Sequence, residues 1–451
     1  MVQLMNSEFQ GYSGKALNLL KKNKIPVWSK VRVTIDNLTT YALVLPAVEG
    51  TTDLIFLKMP NGYNVAFSVD RIRYIEFISR EEVSYKIPEK SFRQLSNLPN
   101  VTIIGAGGTI ASRVEYQTGA VKPAFSTEEL ANAIPELENI AIINSKMAFN
   151  IFSEDMKPSN WIKIAEIVGK EIRSGVDGVV ITHGTDTMHF SAAALAFMLE
   201  NLPIPVVFTG AQRSSDRPSS DAAINLISSV IFASRGLAAE VTLCMHGVLD
   251  DNLCYVHRGV RVRKMHSSRR DTFRSIGTPP LASVKDRNIH YLIKEFFKRD
   301  PHKEENFLIK AKFDEKTALI YTYPGMHKEI LETLIDKGIH GIVIAGTGLG
   351  HVPEYILESI RRGIEENVIF VMTTQCLWGP VNMNVYERGR TLQRMGVLSG
   401  ESMLPETAYV KLGWVLANVE EKKEISKLLL TNLRYEFVAR EHINMFFEQA
   451  K

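Results

Sequence analysis

VVITHGTDT, running from Val179 to Thr187, is a short apolar run that ends abruptly in a glycine flanked by imidazole, hydroxyl and carboxylate groups. Val179, Val180, Ile181 and Thr182 read as a buried parallel strand, and SAAALAFMLE, Ser191 to Glu200, reads as the helix after it. The polar cluster then stands at a strand's carboxyl end. In open α/β sheets that edge offers backbone N–H groups, helix N-termini and a crevice, so function is to be sought there first. The neighbouring text repeats the rhythm. VTIIGAGGT (Val101 to Thr109) is a strand entering a glycine turn, STEE (Ser126 to Glu129) is a capping box, and IAIINSKMAFN (Ile140 to Asn150) is a strand. Ser159 then caps a helix through Arg173, and PVVFTGAQ and VTLCMHG supply further strands. Strand–helix alternation of this kind predicts one doubly wound, mostly parallel α/β domain over residues 98 to 285.

Upstream the character changes. KVRVTI, TYALVLP, TDLIFLKM, NVAFSV and RIRYIEFIS are five closely spaced strand-like runs, punctuated by Asp36-Asn37, Glu49-Gly50 and Pro60-Asn61-Gly62. Residues 1 to 90 are therefore expected to form a small β-barrel of SH3-like size. It lacks a cluster of reactive groups and reads as a recognition module, joined by a charged linker over residues 82 to 99. Downstream, residues 286 to 314 are highly charged and read as a connector. Residues 315 to 451 form a second, smaller α/β domain whose tail, with Ile425, Leu428, Leu429 and Leu433 at helical spacing, is expected to be a closing helix.

Composition narrows the function classes. At 451 residues the chain exceeds one hydrophobic core. Its 53 basic and 50 acidic side chains leave a net charge of +3, which gives no global case for nucleic-acid binding. Basic residues do cluster locally at Arg258, Arg261, Arg263, Arg269, Arg270 and Arg274, which either face an RNA or protein partner or form an internally paired face. The three cysteines lack CxxC spacing, so neither a disulfide framework nor a metal site is expected, and a cytoplasmic location is the default. No stretch approaches a membrane span.

GAGGT at Gly105 to Thr109 invites a dinucleotide reading that fails on spacing, because no acidic residue follows at the end of the second strand. GTGLG at Gly346 to Gly350 has the same defect. The chain also lacks a GxxxxGK[ST] phosphate loop and a GxSxG elbow. What remains of GAGGT is a threonine, Thr109, presented on a glycine turn, where a hydroxyl can act as a nucleophile. Thr185 and Asp186 put a second hydroxyl beside a carboxylate on the neighbouring strand end, and Lys264 in RVRKMHSS is an amine able to move protons. On spacing alone these residues equally suit a strand filler, a helix cap and a surface charge.

GGTIAS (Gly107 to Ser112), HGTDT (His183 to Thr187) and TGAQRSSDRPSSDAAINL (Thr209 to Leu226) resemble, in order and at plausible intervals, the signature motifs of the bacterial-type L-asparaginase family. That resemblance implies an asparaginase-like pair of α/β domains over about residues 98 to 420, with Thr109 as nucleophile and Thr185, Asp186 and Lys264 as a second catalytic set. It further implies that Ser153 and Glu154 grip the substrate's α-carboxylate and α-amino groups, Glu154 standing where free asparaginases carry an amide. Tyr116 would assist Thr109 from a mobile loop. Backbone N–H groups near Gly108 and Gly184 suit an oxyanion, and Asp186 suits an ammonium. His183 is left as a structural turn residue. Family members dimerise, a role that falls here to the loops Gly346 to His351 and Val381 to Tyr386.

The N-terminal barrel, SSRRDTFRS (Ser267 to Ser275) and TQCLWGPVNMNVYERGR (Thr374 to Arg390) are similar, more narrowly, to the asparaginase-like component of the archaeal glutamyl-tRNA(Gln) amidotransferase. This implies a glutaminase feeding ammonia to a partner, the amidotransferase's E subunit, which uses ATP and Mg to turn Glu-tRNA(Gln) into Gln-tRNA(Gln). Glutamine or asparagine is the amide donor, and no cofactor is bound by this chain. A stand-alone asparaginase with an incidental barrel, and a catalytically silent tRNA-binding protein, are the competing readings.

Overall fold

Alternation along the central strand decides how it is buried. Val179 and Ile181 pack into one core cluster and Val180 into another, as successive side chains on a strand must. All three are fully buried, each contributing about 1.5–3 kcal/mol. The computed structural model describes residues 7–47, 49–60, 64–80, 97–108, 112–114, 121–123, 134–214 and 219–441. Within it, Gly178–Thr182 pairs in parallel with Asn100–Gly107 on one side and Val206–Thr209 on the other. Ile142–Ile151 and Val241–His246 extend the parallel set outward. The helices Pro158–Arg173 and Met188–Met198 cover one face and Ala222–Arg235 the other. This is the doubly wound arrangement expected.

Three antiparallel strands then enlarge the sheet to eight: Leu253–Arg258, Ala282–Lys285 and Asn288–Tyr291. The boundary expected at residue 285 falls inside the last hairpin, where Lys285 pairs with Asn288, so the sheet runs on into the stretch read as a connector. Leu308–Ile309, from that same stretch, pairs with Leu199–Glu200. That pairing ends the preceding helix at Met198, whereas the helix was expected to run from Ser191 to Glu200. The helix expected to be capped by Ser159 begins instead at Pro158, with Asn160 Oδ1 accepting the Lys157 N–H at 2.8 Å. The capping box at Ser126 to Glu129, the turn residues Asn61 and Gly62 and most of the expected linker lie outside the described residues.

The smaller unit is a four-stranded parallel sheet, Thr317–Tyr321, Gly341–Gly346, Ile369–Thr374 and Leu398–Ser399. Between the two sheets lies the helix Pro405–Asn418, which the sequence reading missed. It packs on Met188–Met198 from one side and on the small sheet from the other, so it is buried all round and carries no amphipathic stripe. Through it one core cluster runs from Phe197 by way of Trp414 to Val343 and Val371. Of the tail from Glu420 to Lys451, expected as a closing helix, residues 442 to 451 lie outside the described residues, and the part described forms the helix Lys422–Leu430. Its last carbonyls are taken by a buried lysine, Lys411, whose Nζ donates to Leu429 O at 2.9 Å and Thr431 O at 2.6 Å.

At the N-terminus the five expected strands appear as Ser29–Ile35, Leu38–Val44, Leu54–Lys58, Asn64–Ser68 and Ile72–Arg80 in one antiparallel sheet. Its order places 64–68 and 72–80 at the two edges, and among the described residues no pairing closes it, so it is barrel-like and open. The helix Gly14–Lys22, not anticipated, seals its inner face through Ala16 and Leu20 against Val31, Val33, Ile55 and Leu57.

Candidate active site

Parallel register brings three strand ends to one edge, because Thr182 lies opposite both Gly105 and Thr209. Beyond that edge the chain is packed backbone to backbone. Gly107 and Gly108 both adopt φ of +93°, a left-handed region open to glycine. A Cβ on Gly108 would stand 2.4 Å from Gly184 N, and one on Gly184 would stand 2.7 Å from Ser153 Cβ. Three loops, carrying Gly108, Gly184 and Ser153, therefore meet with no side chain between the glycines. Thr187 ties two of them, its Oγ1 donating to Ser153 O at 2.6 Å.

Lys264 enters this edge from the strand Val262–Lys264, itself held by Phe273–Ser275. Its Nζ lies 2.9 Å from Thr185 Oγ1 and 2.7 Å from Asp186 Oδ1. The lysine side chain is 9% exposed and the Asp186 carboxylate 66%, so the pair is closed on the lysine side and open on the aspartate side. Such a set can hold a cation on the free carboxylate oxygen and pass a proton between hydroxyl and amine.

His183 looks like a base and is built otherwise. Its Nδ1 sits 2.6 Å from Gly184 O, and a carbonyl only accepts, so Nδ1 carries the proton. Nε2 then accepts from Ser191 Oγ at 2.9 Å, and Ser191 in turn accepts from Trp161 Nε1 at 2.9 Å. Complete burial pushes the imidazole pKa down to about 4, which keeps it neutral. Because the Gly184 carbonyl is aimed at this ring, the trans peptide directs the Thr185 N–H the opposite way. Ser191, Trp161 and Thr187 were not singled out in the sequence. Thr187 belongs to the motif itself, whereas the Trp161–Ser191 contact leaves no local pattern.

Ser153 is buried and opens a short 3-10 turn, Ser153–Asp155, that leaves Glu154 exposed. Thr109 and Tyr116 lie outside the described residues. Next to Lys264, Arg263 links this strand pair to the helix Pro405–Asn418 and the small unit. Its Nε lies 2.9 Å from Glu406 Oε1, and its Nη2 donates to Tyr321 Oη at 3.0 Å. Burial pushes the Glu406 carboxyl up, opposed by the Arg263 charge.

The basic stretch resolves into internal pairs. Arg258 bonds Glu240, Arg263 bonds Glu406, Arg269 and Arg274 share Asp271, and Arg270 bonds Asp251. Arg261, fully buried, donates to the carbonyls of Ile276, Ser402 and Glu436. All six arginines thus have acceptors within the fold, as the internally paired alternative expects. The loops 346–351 and 381–386 pack on each other, with Asn382 N donating to Leu349 O at 3.0 Å and the rings of His351 and Tyr386 5.2 Å apart. Among the described residues no helix is long and apolar enough to cross a membrane.

Residues 100–296 match the family "Asparaginase, N-terminal", and residues 316–429 match the "Glutaminase/Asparaginase C-terminal domain". The thermostable L-asparaginase from Thermococcus kodakarensis superposes with a TM-score of 0.67 at 30% identity, covering 75% of this chain and 99% of that one. Residues before 100 thus precede the asparaginase match. Two curated relatives span almost everything. The D subunit of the glutamyl-tRNA(Gln) amidotransferase of Pyrococcus abyssi is 51% identical over 92% of this chain and 95% of its own length. Its counterpart from Methanopyrus kandleri is 49% identical over 94% of each. With about half of the aligned positions identical over more than nine-tenths of the chain, the chain belongs to the family of glutamyl-tRNA(Gln) amidotransferase D subunits.

Proposed function

We propose that this chain is the glutaminase of a tRNA-dependent amidotransferase. It hydrolyses the side-chain amide of glutamine, with asparagine as the competing donor, and releases ammonia to a partner, the E subunit of that complex. The partner spends ATP, with Mg, to convert Glu-tRNA(Gln) to Gln-tRNA(Gln). A homodimeric core carries the site. The observation that carries the reading is Lys264 Nζ within hydrogen-bond reach of both Thr185 Oγ1 and Asp186 Oδ1, at 2.9 and 2.7 Å.

Asp186 keeps one oxygen on Lys264 and offers the other to the α-ammonium of the substrate, while Ser153 and Glu154 take the rest of the amino-acid headgroup. Thr109 Oγ attacks the amide carbon, and the charge that develops on the amide oxygen is met by backbone N–H groups beside Gly108 and Gly184. The Thr185 N–H, turned away from His183, is one such donor. The nucleophile's proton passes through the Thr185–Lys264 pair to the leaving nitrogen, so that ammonia departs and an acyl-threonine remains. A protonated Lys264 donates to Thr185 Oγ1, and a neutral one reverses that bond. Tyr116 assists the attacking hydroxyl. Water then releases glutamate.

Ammonia release from glutamine is to be measured with the purified chain alone and with its E-subunit partner and Glu-tRNA(Gln). Strong stimulation by the complex is expected, and Thr109→Ala should abolish release. The match to a free-standing asparaginase supports the second reading, an independent asparaginase. Brisk unaided asparagine turnover, unchanged by the complex, would establish that reading in place of the first.

A further inference from the structure

At the far end of the helix Met188–Met198, away from Thr185 and Asp186, lies a cavity of about 390 Å³. Leu202, Val241, Val260 and Phe297 give it apolar walls, and Arg258 and Arg434 both face it. Volume and lining suit a small organic molecule.

Charge says which kind. Three cations, Arg258, Arg434 and Lys298, line the cavity against one carboxylate, Glu240. Glu240 is fully engaged, taking Arg258 Nε at 2.6 Å, Arg258 Nη2 at 3.0 Å and the Phe297 N–H at 3.1 Å. Arg258 is only 7% exposed, yet among the described residues its Nη1 has no acceptor. The Tyr435 ring is packed 4.0 Å from its Cζ, which fixes the guanidinium plane. Arg434 spends Nε on Ala196 O at 2.7 Å and Nη1 on Leu433 O at 2.9 Å. Its Nη2 lies 3.8 Å from Glu200 Oε1, too far for a hydrogen bond. Two oriented guanidinium groups therefore keep donors at a cavity whose wall is part apolar and part polar. The backbone here is also strained, with φ of +54° at Asn201 on the rim and +61° at Tyr435 behind Arg258. Left-handed non-glycine residues gather at ligand clamps.

We propose that this cavity binds a small organic anion: a carboxylate on a flat apolar body, its headgroup on Arg258 and Arg434. The site is independent of the amide chemistry. Since Arg434 holds the carbonyl of Ala196 in the helix that begins just after Asp186, an occupant touches an element shared with the active site.

The test is calorimetric titration of the full chain with indole-3-acetate and with neutral indole-3-acetamide, which has the same shape. At the ligand efficiency usual for such molecules the acid is expected to bind with Kd of about 1 mM or tighter, and the amide about tenfold more weakly. Arg434→Met should erase the preference for the acid, Arg434→Lys should keep part of it, and Leu202→Trp should block both ligands. Thermal melting of each variant checks folding, and the comparison of acid with amide on the unmodified chain needs no variant. No saturable binding of the acid up to about 10 mM, equal binding of acid and amide, or undiminished binding to a folded Leu202→Trp chain would each overturn the proposal.

Discussion

Two lysine–carboxylate pairs of nearly equal length lie in this molecule, and they are built in opposite ways. Lys264 Nζ is 2.7 Å from Asp186 Oδ1 at the edge of the large sheet, and Lys411 Nζ is 2.6 Å from Glu436 Oε1 behind the interdomain helix. Lys411 and Glu436 are both fully buried, and every group is used. Lys411 donates to Glu436, Leu429 O and Thr431 O, while Glu436 also accepts the N–H groups of Leu433 and Arg434. Nothing is left over for a substrate. Lys264 spends two donors, on Thr185 and Asp186, and Asp186 stands two-thirds exposed. Distance does not distinguish the two pairs; unspent hydrogen-bonding capacity does, and it is what suits the first to the chemistry proposed for it.

That contrast breaks most visibly at Lys264. Lys264→Met is expected to lower ammonia release at least about 10³-fold, within the range for losing a proton-transfer group. Its thermal midpoint should stay near that of the parent, because the aspartate it leaves behind already faces water. A variant retaining a tenth of the activity would remove Lys264 from the chemistry. Lys411→Met should show the reverse, a stability loss of about 3 kcal/mol by urea unfolding with near-normal turnover in the folded fraction. The figure sits at the lower end for breaking a buried pair, since Leu433 and Arg434 still hydrogen-bond Glu436. Selective loss of turnover in a stable Lys411→Met chain would merge the two sites and refute the distinction.

Legibility in the sequence follows the same line. The strand ends at Gly105 and Thr182 were readable because a β-branched run stopping in glycine has few other uses, and the parallel core follows from their rhythm. Lys264 was not readable as their partner by spacing. Seventy-eight residues separate it from Asp186, and it lies on a separate two-stranded ribbon that only the tertiary fold brings to that edge. The arginines from 258 to 274 look like a face when written in a line, but only one of the acids that meet them, Asp271, lies in that line, while Glu240, Asp251 and Glu406 come from outside it. The helix at 405–418 was invisible for the opposite reason. Buried on all sides, it lacks the polar stripe that announces a helix.

His183 tests the contrast at intermediate size, for it adjoins Thr185 in sequence and yet, with both ring nitrogens engaged, resembles Lys411. Its pKa is held at about 4 in the fold, against about 6.5 in the unfolded chain. Between those values the unfolded chain binds the extra proton, so stability falls as pH drops from about 6.5 towards 4 and levels off below. The contribution is about 1–2 kcal/mol by pH 5. His189 and His257, whose pKa values burial pushes down to about 3, add to the same slope. His183→Asn should unfold in urea with a visibly shallower pH dependence between 7 and 5 while His189 and His257 still contribute. Parallel curves for parent and variant would mean that the ring is charged in the fold, and His183 would return to the candidate bases.

The smallest effect belongs to a third lysine–carboxylate pair, Lys15 with Asp70 in the N-terminal unit, 3.2 Å apart and about two-thirds exposed on each side. Here both partners have unspent capacity, but water fills it. Screening and the entropy of pinning two long side chains cancel most of the attraction. Lys15→Ala is therefore expected to change unfolding free energy by less than about 0.5 kcal/mol and to leave ammonia release untouched. A loss of about 2 kcal/mol would show that burial is not what separates the structural pair from the surface one. The two aspartates are alike in exposure, 66% for Asp186 and 70% for Asp70, so what sets the first pair apart is its lysine, 9% exposed at Lys264 against 67% at Lys15.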